Sequence, residues 1–418
     1  MAQSLYMASF EKVGGPAWSA RHGLTGASYQ TEFNAHVAQG FRPLVVSGYA
    51  NSAGQSRYAV IFDKRGGGPW MARHGLSPAQ YQAAFDQAVA QGMRPTCVSA
   101  HVGGGQERYA ALFEAGQGAF VARHGLDGNG YQAAFNQFTG QGFRLRWVSC
   151  HAVGGTIRYA AIWDKSAAPG AWVARHGLEE AAFRAQAADL AKQGYDLVCG
   201  NAACVGGKDF YCALWEKRAV ASIAHHGMTS GAYQLHFEEL VAQGYRPKFV
   251  SGYLGDDPVD VRLRFTMQQQ TQGNWCWAAT SVSIARFYNS GSTWTQCLVA
   301  NAQKGVTTCC TTGASTAPCN TYGSLSAALT TVGHFDRSTN GVESFATVES
   351  EVLAGRPLGM RTAWSGGGAH FIAATGTEDD SMVWVSDCGS GTTALVDYET
   401  LKTAYRGSGS WTHSYFTN

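Results

Sequence analysis

The sequence has little charge and no long hydrophobic run. Charged residues make up 14% of the chain, the formal net charge is +2, and lysines and arginines form no cluster. Nucleic acids and anionic membranes are bound through dense positive charge, so this composition argues against both as partners. No apolar stretch approaches the ~20 residues that cross a bilayer, so we expect no membrane span.

A recognisable signal peptide is also missing. The chain starts Met1-Ala2-Gln3-Ser4, without the charged and apolar regions of an export signal. The cysteines nevertheless indicate export, because eleven are many for a cytosolic protein and disulfides persist in oxidising compartments. We therefore expect a secreted or exported protein whose signal peptide is absent from this chain.

The length of 418 residues and the hydrophobic content of 45% are sufficient for two or more folded domains. The 52 glycines favour a turn-rich architecture. The composition changes near residue 256, where Asp256-Asp257-Pro258 interrupts the preceding pattern. We predict one domain over residues 1–255, a linker at 256–261 and a second domain over 262–418.

A tripeptide ending in His-Gly recurs through the first domain. The copies begin at Arg21, Arg73, Arg123, Arg175 and His225. Their spacings are 52, 50, 52 and 50 residues, and a fixed period of this size is typical of repeat architectures. The sequence therefore predicts five units of about 51 residues each.

Every unit shows the same order of local signals. Residues that favour helix N-termini follow four of the tripeptides, namely Thr25, Ser77, Asp127 and Thr229. A helical pattern then runs to a glycine, which is Gly40, Gly92, Gly142, Gly194 or Gly244. Two alternating segments follow, at residues 44–49 and 57–62 in the first unit. Each unit is predicted to be a helix followed by a β-hairpin.

The two ends of the array complement each other. Residues 5–12 match the second strand of a unit, as at 58–64, whereas the last unit has no such strand after Tyr253. The N-terminal strand can therefore complete the last unit. We predict a closed ring or barrel of five units, with an open solenoid as the alternative.

The repeated Arg-His-Gly-Leu and the paired strands resemble a bacterial tandem-repeat family found on secreted hydrolases, over residues 5–255. The resemblance implies binding or presentation, with a cell-surface or carbohydrate ligand, rather than chemistry. We expect each recurring histidine to hydrogen-bond within its own unit and not to bind metal. Cys199, Cys204 and Cys212 fall in one hairpin, where we expect a local disulfide because their spacing matches no zinc site.

Cys276 is the first candidate for chemistry. A polar stretch that includes Gln270 precedes it, and apolar residues at helical spacing follow, among them Ala278, Val282 and Ala285. We predict a helix that begins at Cys276, where unpaired N–H groups and the helix dipole favour the thiolate. Gln270 could then donate to an oxyanion. The alternative for Cys276 is a buried structural or disulfide-bonded cysteine.

His370 and Asp387 are the partners that a nucleophilic cysteine needs. We predict two antiparallel strands joined by a turn centred between Asp379 and Asp380. This register places Asp387 opposite Ile372 and makes His370 its diagonal neighbour on the same sheet face. His370 would act as the base and Asp387 would orient it.

These features together resemble the papain-like cysteine peptidases, in the compact bacterial type related to the AvrRpt2 effector group, over about residues 262–418. Gln270 lies six residues before Cys276, Cys276-Trp277 opens the helix, and the order is Gln, Cys, His, Asp. The resemblance implies Cys276 as nucleophile, His370 as base, Asp387 as orienter and Gln270 as oxyanion donor, with a protein or peptide substrate and no cofactor or metal. Asn274-Trp275 before the cysteine departs from the plant and lysosomal enzymes.

The other cysteines of this region also support a disulfide-stabilised domain. We expect Cys297, Cys309, Cys310 and Cys319 to form the structural pairs, with three connectivities open. Cys388 is then left over as a buried free thiol.

The predicted protein is of the α+β class, with five helix-plus-hairpin repeats followed by a papain-like domain. We predict a thiol endopeptidase that acts through a Cys276 acyl-enzyme, with the repeats binding or presenting substrate. The alternatives are a thiol amidase, transglutaminase or deamidase of the same constellation. A non-enzymatic adhesin or lectin, in which Cys276 would be oxidised, is the third hypothesis.

Overall fold

The computed structural model describes residues 2–165, 170–311, 314–379 and 381–418. The chain divides into two compact units, Met1–Pro258 and Val259–Asn418. None of the described helices combines the length and the apolar character that crossing a bilayer requires.

The first unit repeats one order of elements: strand, helix, strand, strand. Its strands are β1 (Gln3–Glu11), β2 (Trp18–Leu24), β3 (Arg42–Ala50), β4 (Ser56–Asp63), β5 (Trp70–Leu76), β6 (Met93–Gly103), β7 (Gln106–Ala115), β8 (Phe120–Leu126), β9 (Arg144–Val153), β10 (Thr156–Asp164), β11 (Trp172–Glu179), β12 (Tyr195–Val205), β13 (Lys208–Lys217), β14 (Ser222–Thr229) and β15 (Arg246–Gly255). Its helices are α1 (Gly26–Ala38), α2 (Pro78–Ala90), α3 (Gly128–Gly140), α4 (Glu180–Lys192) and α5 (Ser230–Ala242).

The predicted helix signals lie where the local chemistry requires them. Each of the four predicted capping side chains accepts a hydrogen bond from a backbone N–H of the first turn; these residues are Thr25, Ser77, Asp127 and Thr229. Each helix also ends two residues before a glycine with positive φ, with the C-cap residue between them, as at Gly40, where φ is +82° after the C-cap Gln39. The five predicted helices are confirmed.

Each of the five repeats contains a strand that the sequence did not predict. The sheets are three-stranded, in the orders β2-β4-β3, β5-β7-β6, β8-β10-β9 and β11-β13-β12. The extra strand carries the Arg-His-Gly tripeptide. In the first repeat, its pairing register shifts between Arg21 and Leu24. The glycine and the charged residues break the alternation by which a strand is recognised.

The N-terminal strand completes the last unit, as predicted. Strand β1 lies between β14 and β15 and pairs antiparallel with both. Strands β3, β6, β9, β12 and β15 contact one another in cyclic order, and the backbone N–H of Gly252 donates to Ser47 Oγ at 3.0 Å across the seam. The described residues thus form a closed ring of five repeats, each with its own set of three strands, rather than one continuous barrel.

The recurring histidines contact the neighbouring repeat, so the expectation that each hydrogen-bonds within its own repeat is wrong. The His74 ring lies 4.5 Å from that of Tyr29 and 5.1 Å from that of Tyr58, both in the preceding unit. His22 makes the same edge contacts with Tyr6 and Tyr233 and so closes the ring. The reason is that the tripeptide lies on a strand beside the neighbouring helix.

The expected disulfide among Cys199, Cys204 and Cys212 is also wrong, since all three thiols are free. The register of β12 and β13 places Cys199 opposite Leu214 and Cys212 opposite Asn201, so no two of these cysteines face each other.

The second unit is an α+β domain. Its strands are β16 (Asp260–Arg262), β17 (Arg337–Asn340), β18 (Leu358–Trp364), β19 (Ala369–Glu378), β20 (Met382–Asp387), β21 (Thr392–Asp397) and β22 (Gly409–Phe416). Its helices are α6 (Cys276–Tyr288), α7 (Gln296–Lys304), α8 (Leu325–Val332), α9 (Phe345–Leu353) and α10 (Tyr398–Thr403). Two residues of the predicted linker, Asp260 and Val261, belong to β16.

Strand β19 is central to the sheet of this unit and separates two cores. It pairs with β16 and β18 on one edge and with β20 on the other. Phe371 and Ala373 face the core that contains α6, whereas Ile372 and Ala374 face the core that contains α9. The start of β19 lies against α6, where Thr280 Oγ1 donates to Phe371 O at 3.4 Å.

Candidate active site

Cys276 is the first residue of α6, as the sequence predicts, and it is 5% exposed. Trp275 occupies the N-cap and supplies no side-chain hydrogen bond to the helix. The first N–H groups of α6 therefore keep their capacity to bind an anion. Trp275 Nε1 donates to Cys319 O at 2.8 Å and Trp277 Nε1 to Thr321 O at 3.2 Å, which fixes the helix start.

His370 and Asp387 lie together at the ends of β19 and β20. His370 Nε2 donates to Asp387 Oδ1 at 2.7 Å. Asp387 pairs with Ile372, so the predicted register is confirmed here. Towards the turn the register shifts by one residue at a bulge between Ala374 and Gly376. The predicted turn centre includes residue 380, which lies outside the described residues.

The Asp387 carboxylate, which is 2% exposed, accepts from several donors. Oδ1 also accepts from the backbone N–H of Gly389 at 2.7 Å, and Oδ2 accepts from the Tyr405 hydroxyl at 2.7 Å. Arg406 Nη2 lies 3.0 Å from Oδ2. Tyr405 and Arg406 were not among the predicted site residues, because no local sequence pattern links that segment to the hairpin.

The His370 ring connects Asp387 with Cys276. Burial alone would lower the pKa of His370, but hydrogen bonds to Asp387, Cys276 and Cys388 raise this pKa to about 12. Burial likewise opposes ionisation of Asp387, yet the His370, Tyr405 and Gly389 donors lower its pKa to about 2. A protonated imidazole and an ionised carboxylate are therefore the stable forms.

Cys388 lies against the same cluster and is a free buried thiol, as expected. Its Sγ donates to Phe371 O at 3.2 Å and lies 3.8 Å from His370 Nε2. Burial raises the pKa of the Cys388 thiol, which disfavours a nucleophilic role. Donor atoms of His370, Asp387 and Cys388 lie within 4.8 Å of one another, but the Nε2 proton shared with Asp387 blocks metal ligation there.

Gln270 belongs to the loop that precedes α6. Its backbone N–H donates to Cys388 O at 2.7 Å, which ties the loop to the end of β20. Its side-chain Nε2 donates to Gln272 O at 3.0 Å and to Gly273 O at 2.9 Å. The amide is thus next to the cluster, but its hydrogens are directed into its own loop.

Trp364 lies near the cluster, whereas Trp384 does not. The Trp364 ring stacks 6.2 Å from that of His370, with 27° between the planes. Trp384 instead pairs with Gly376 along the strand and lies 3.7 Å from the guanidinium of Arg262.

Two disulfides stabilise the segment beside α6. The four cysteines expected to pair do so as Cys297–Cys310 and Cys309–Cys319, one of the three connectivities left open. Because Cys319 O accepts from Trp275, the second disulfide supports the residue before Cys276.

Comparison with known families confirms both resemblances. Five consecutive segments match the family described as polyglycine hydrolase-like, structural repeat; they are residues 15–65, 67–115, 117–166, 169–218 and 219–267. Residues 258–396 match the family described as papain-like cysteine protease AvrRpt2. A search of curated proteins finds no match. The second unit is accordingly a papain-like cysteine protease domain.

Proposed function

We propose that this chain, which belongs to the polyglycine hydrolase-like structural repeat family and carries a papain-like cysteine protease domain of the AvrRpt2 type, cleaves peptide bonds through Cys276. The observation that carries the proposal is the hydrogen-bonded series Cys276, His370, Asp387 at the start of an uncapped helix. A nucleophile, a base and a group that orients the base are the parts that acyl transfer requires.

In the proposed reaction, the His370 imidazolium already holds the proton that Cys276 gives up, and the Sγ thiolate attacks the scissile carbonyl carbon. His370 Nε2 is engaged with Asp387, so the other ring nitrogen, Nδ1, is the one available for this proton. The tetrahedral intermediate collapses to a thioester as His370 protonates the leaving amine. Water then hydrolyses the thioester with His370 as base, and Cys276 is regenerated.

The oxyanion of the intermediate would be stabilised at the start of α6. The backbone N–H of Cys276 is among the helix N–H groups without an intrahelical acceptor. Gln270 is the proposed second donor, which requires one of its amide hydrogens to leave the loop carbonyls that it now contacts. We therefore expect Gln270→Ala to lower kcat by ~10²-fold while substrate binding changes little.

The decisive experiment is iodoacetamide labelling at mildly acidic pH without reduction, followed by peptide mapping. Ordinary thiols are mostly protonated there and react slowly, whereas a thiolate beside a protonated histidine reacts fast. We expect selective labelling of Cys276 that is lost in His370→Ala, and loss of casein cleavage in Cys276→Ala with the fold retained. Cys97→Ala, at a buried thiol in the other unit, is the control.

Recovery of Cys276 in a disulfide-linked peptide would refute the enzyme proposal and leave the adhesin hypothesis. Cys276 is a free thiol in the structure, which supports the enzyme. Cleavage of purified peptidoglycan but not of casein would instead support an amidase with the same residues.

We further propose that the protein acts outside the cytosol and that the repeat unit binds a surface or carbohydrate ligand. Two disulfides support an oxidising compartment. Thiol titration of protein isolated from its native compartment, with and without reduction, tests the first proposal.

A further inference from the structure

The seams between consecutive repeats form grooves on the outside of the ring. In the first seam, Gln30 and Phe33 of α1 lie across from Trp70 and Arg73 of β5, and these four residues line a cavity of about 620 Å³. The second seam encloses about 410 Å³ between the equivalent residues of α2 and β8. We call each such set of four side chains an outer groove.

The outer groove recurs in four of the five seams. The other three sets are Gln82, Phe85, Phe120 and Arg123; Gln132, Phe135, Trp172 and Arg175; and Gln234, Phe237, Trp18 and Arg21. In all four, the two aromatic rings meet edge to face with centroids 5.8 to 6.3 Å apart. One arrangement of aromatic, amide and guanidinium groups is thus presented four times.

The remaining seam shows that the ring does not need the outer groove in order to close. Between the fourth and fifth repeats, Ala187 replaces the helix phenylalanine and Ser222 replaces the strand aromatic residue. The inner contact is kept, since the His226 ring lies 4.9 Å from that of Phe183 and 5.5 Å from that of Tyr211. Packing between units therefore depends on the inner contact, and the outer groove requires another explanation.

The polar groups of the grooves are oriented or exposed in a way that allows them to bind a ligand. In each groove the glutamine Nε2 donates to the side chain four residues later at 2.8 Å, which orients the amide. The side chains of Arg73, Arg123 and Arg175 are exposed, and none takes part in an ion pair that the structure describes. Arg21 differs, because its Nε lies 3.2 Å from Glu32.

The same arginines argue against an added peptide strand. Strands β5, β8 and β11 are edge strands, which a peptide could extend. However, Nη1 of Arg73, Arg123 and Arg175 donates to the preceding carbonyl of its own strand at 2.8 to 2.9 Å. This contact occupies part of the edge and leaves the other guanidinium N–H groups for a carboxylate.

We propose that the outer grooves bind an acidic polysaccharide, a glycan with a carboxylate on its repeating sugars. The C–H face of a sugar ring would pack on the aromatic pair, its hydroxyls would donate to the glutamine Oε1, and its carboxylate would pair with the arginine. A repeating polymer suits a repeated groove, since four weak sites on one ring add avidity. The inference deepens the proposed binding role of the repeats and does not depend on the peptidase.

The test measures binding of the full chain to oligogalacturonate by titration calorimetry at low and at physiological salt. The variant Arg73→Ala/Arg123→Ala/Arg175→Ala should bind ~10-fold or more weakly, because three grooves lose their carboxylate partner. The matched control, Lys165→Ala/Lys192→Ala/Lys208→Ala, removes equal charge from exposed positions outside the grooves and should retain the affinity. Unchanged unfolding temperatures establish that both variants are folded.

A second variant tests the aromatic pair by removing one ring from three grooves. Trp70→Ala/Phe120→Ala/Trp172→Ala should bind several-fold more weakly, and an unchanged affinity would overturn the role given to the aromatic rings. Absent binding to oligogalacturonate, or equal losses in the arginine and lysine variants, would overturn the proposal. Equally tight binding of poly-glutamate would replace the glycan with an acidic peptide. Casein cleavage is measured separately, so failure of either proposal is recognised on its own.

Discussion

The Asp387 carboxylate and the His370 ring form a buried ion pair whose contribution to stability depends on pH. The pKa of Asp387 is lowered from 3.8 to about 2, so its contribution is present above 3.8 and is lost as the pH falls through about 2. The pKa of His370 is raised from 6.5 to about 12, so its contribution is complete below 6.5 and is lost as the pH rises through about 12. Both contributions are complete between about pH 4 and 6.5.

Tyr405 is a positioning residue for this pair. Tyr405→Phe removes the donor to Asp387 Oδ2, so we expect the pKa of Asp387 to rise and acid unfolding to begin at higher pH. The free energy of unfolding at neutral pH should fall by about 1 kcal/mol, because a buried acceptor loses its partner. Urea unfolding between pH 2 and 7 measures both effects, and peptidase kinetics should show a lower kcat at nearly unchanged KM.

Tyr398→Phe is the matched control, since its hydroxyl donates to the backbone carbonyl of Glu343, outside the candidate active site. It should not move the acid unfolding curve. If Tyr405→Phe and Tyr398→Phe gave the same curves and the same kcat, Tyr405 would have no positioning role.

The candidate site could be predicted from sequence to the extent that short-range patterns determine it. Cys276 follows from the polar-to-helical transition, and the proximity of His370 and Asp387 follows from hairpin register, which spans only 17 residues. Tyr405 and Arg406 reach Asp387 from the loop after α10, and that approach depends on tertiary packing of the whole sheet. No spacing in the sequence encodes it.

At the scale of elements, the helices of the repeats could be predicted because certain residue types mark helix ends wherever they occur. Capping side chains fix the starts of four helices and glycines follow the ends of all five, so the five helices were found. The strand that carries Arg-His-Gly was missed because its pairing partner lies more than 30 residues away and its bulge removes the alternation. The disulfide predicted among the cysteines of β12 and β13 was wrong for a similar reason, because the pairing register decides which side chains face each other.

Strand β1 offers a test of ring closure at this scale. Deleting residues 2–11 removes the middle strand of the fifth sheet, whose flanking strands β14 and β15 both pair with β1. We expect the repeat unit to lose cooperative thermal unfolding, as seen by circular dichroism. A synthetic peptide of residues 2–12 should restore the transition, whereas a scrambled peptide should not. An unaltered transition in the truncated chain would show that the ring does not require β1.

At the scale of the whole repeat unit, the ring closes because a small residue recurs on each inner strand. These positions are Gly48, Ala100, Cys150, Ala202 and Gly252, again 52, 50, 52 and 50 residues apart. The reason is visible at two of them, since a Cβ at Gly48 would lie 2.7 Å from His101 Nδ1, and one at Gly252 would overlap the ring of Tyr49. Close approach of neighbouring units therefore requires glycine at these two places.

Gly252→Ala should consequently destabilise the seam between the last and first repeats. The added methyl group must displace the buried Tyr49 ring, whose hydroxyl contacts that of Tyr6 at 2.6 Å, so we expect a loss of about 1–3 kcal/mol in unfolding free energy. Gly128→Ala is the control, because nothing lies within 4 Å of its Cβ position in the first turn of α3, and it should leave stability unchanged or raise it slightly. Urea unfolding measures the free energy of both variants. Equal stability would mean that the Tyr49 ring can move aside without cost. Ring closure would then not depend on a fixed packing of the inner strands.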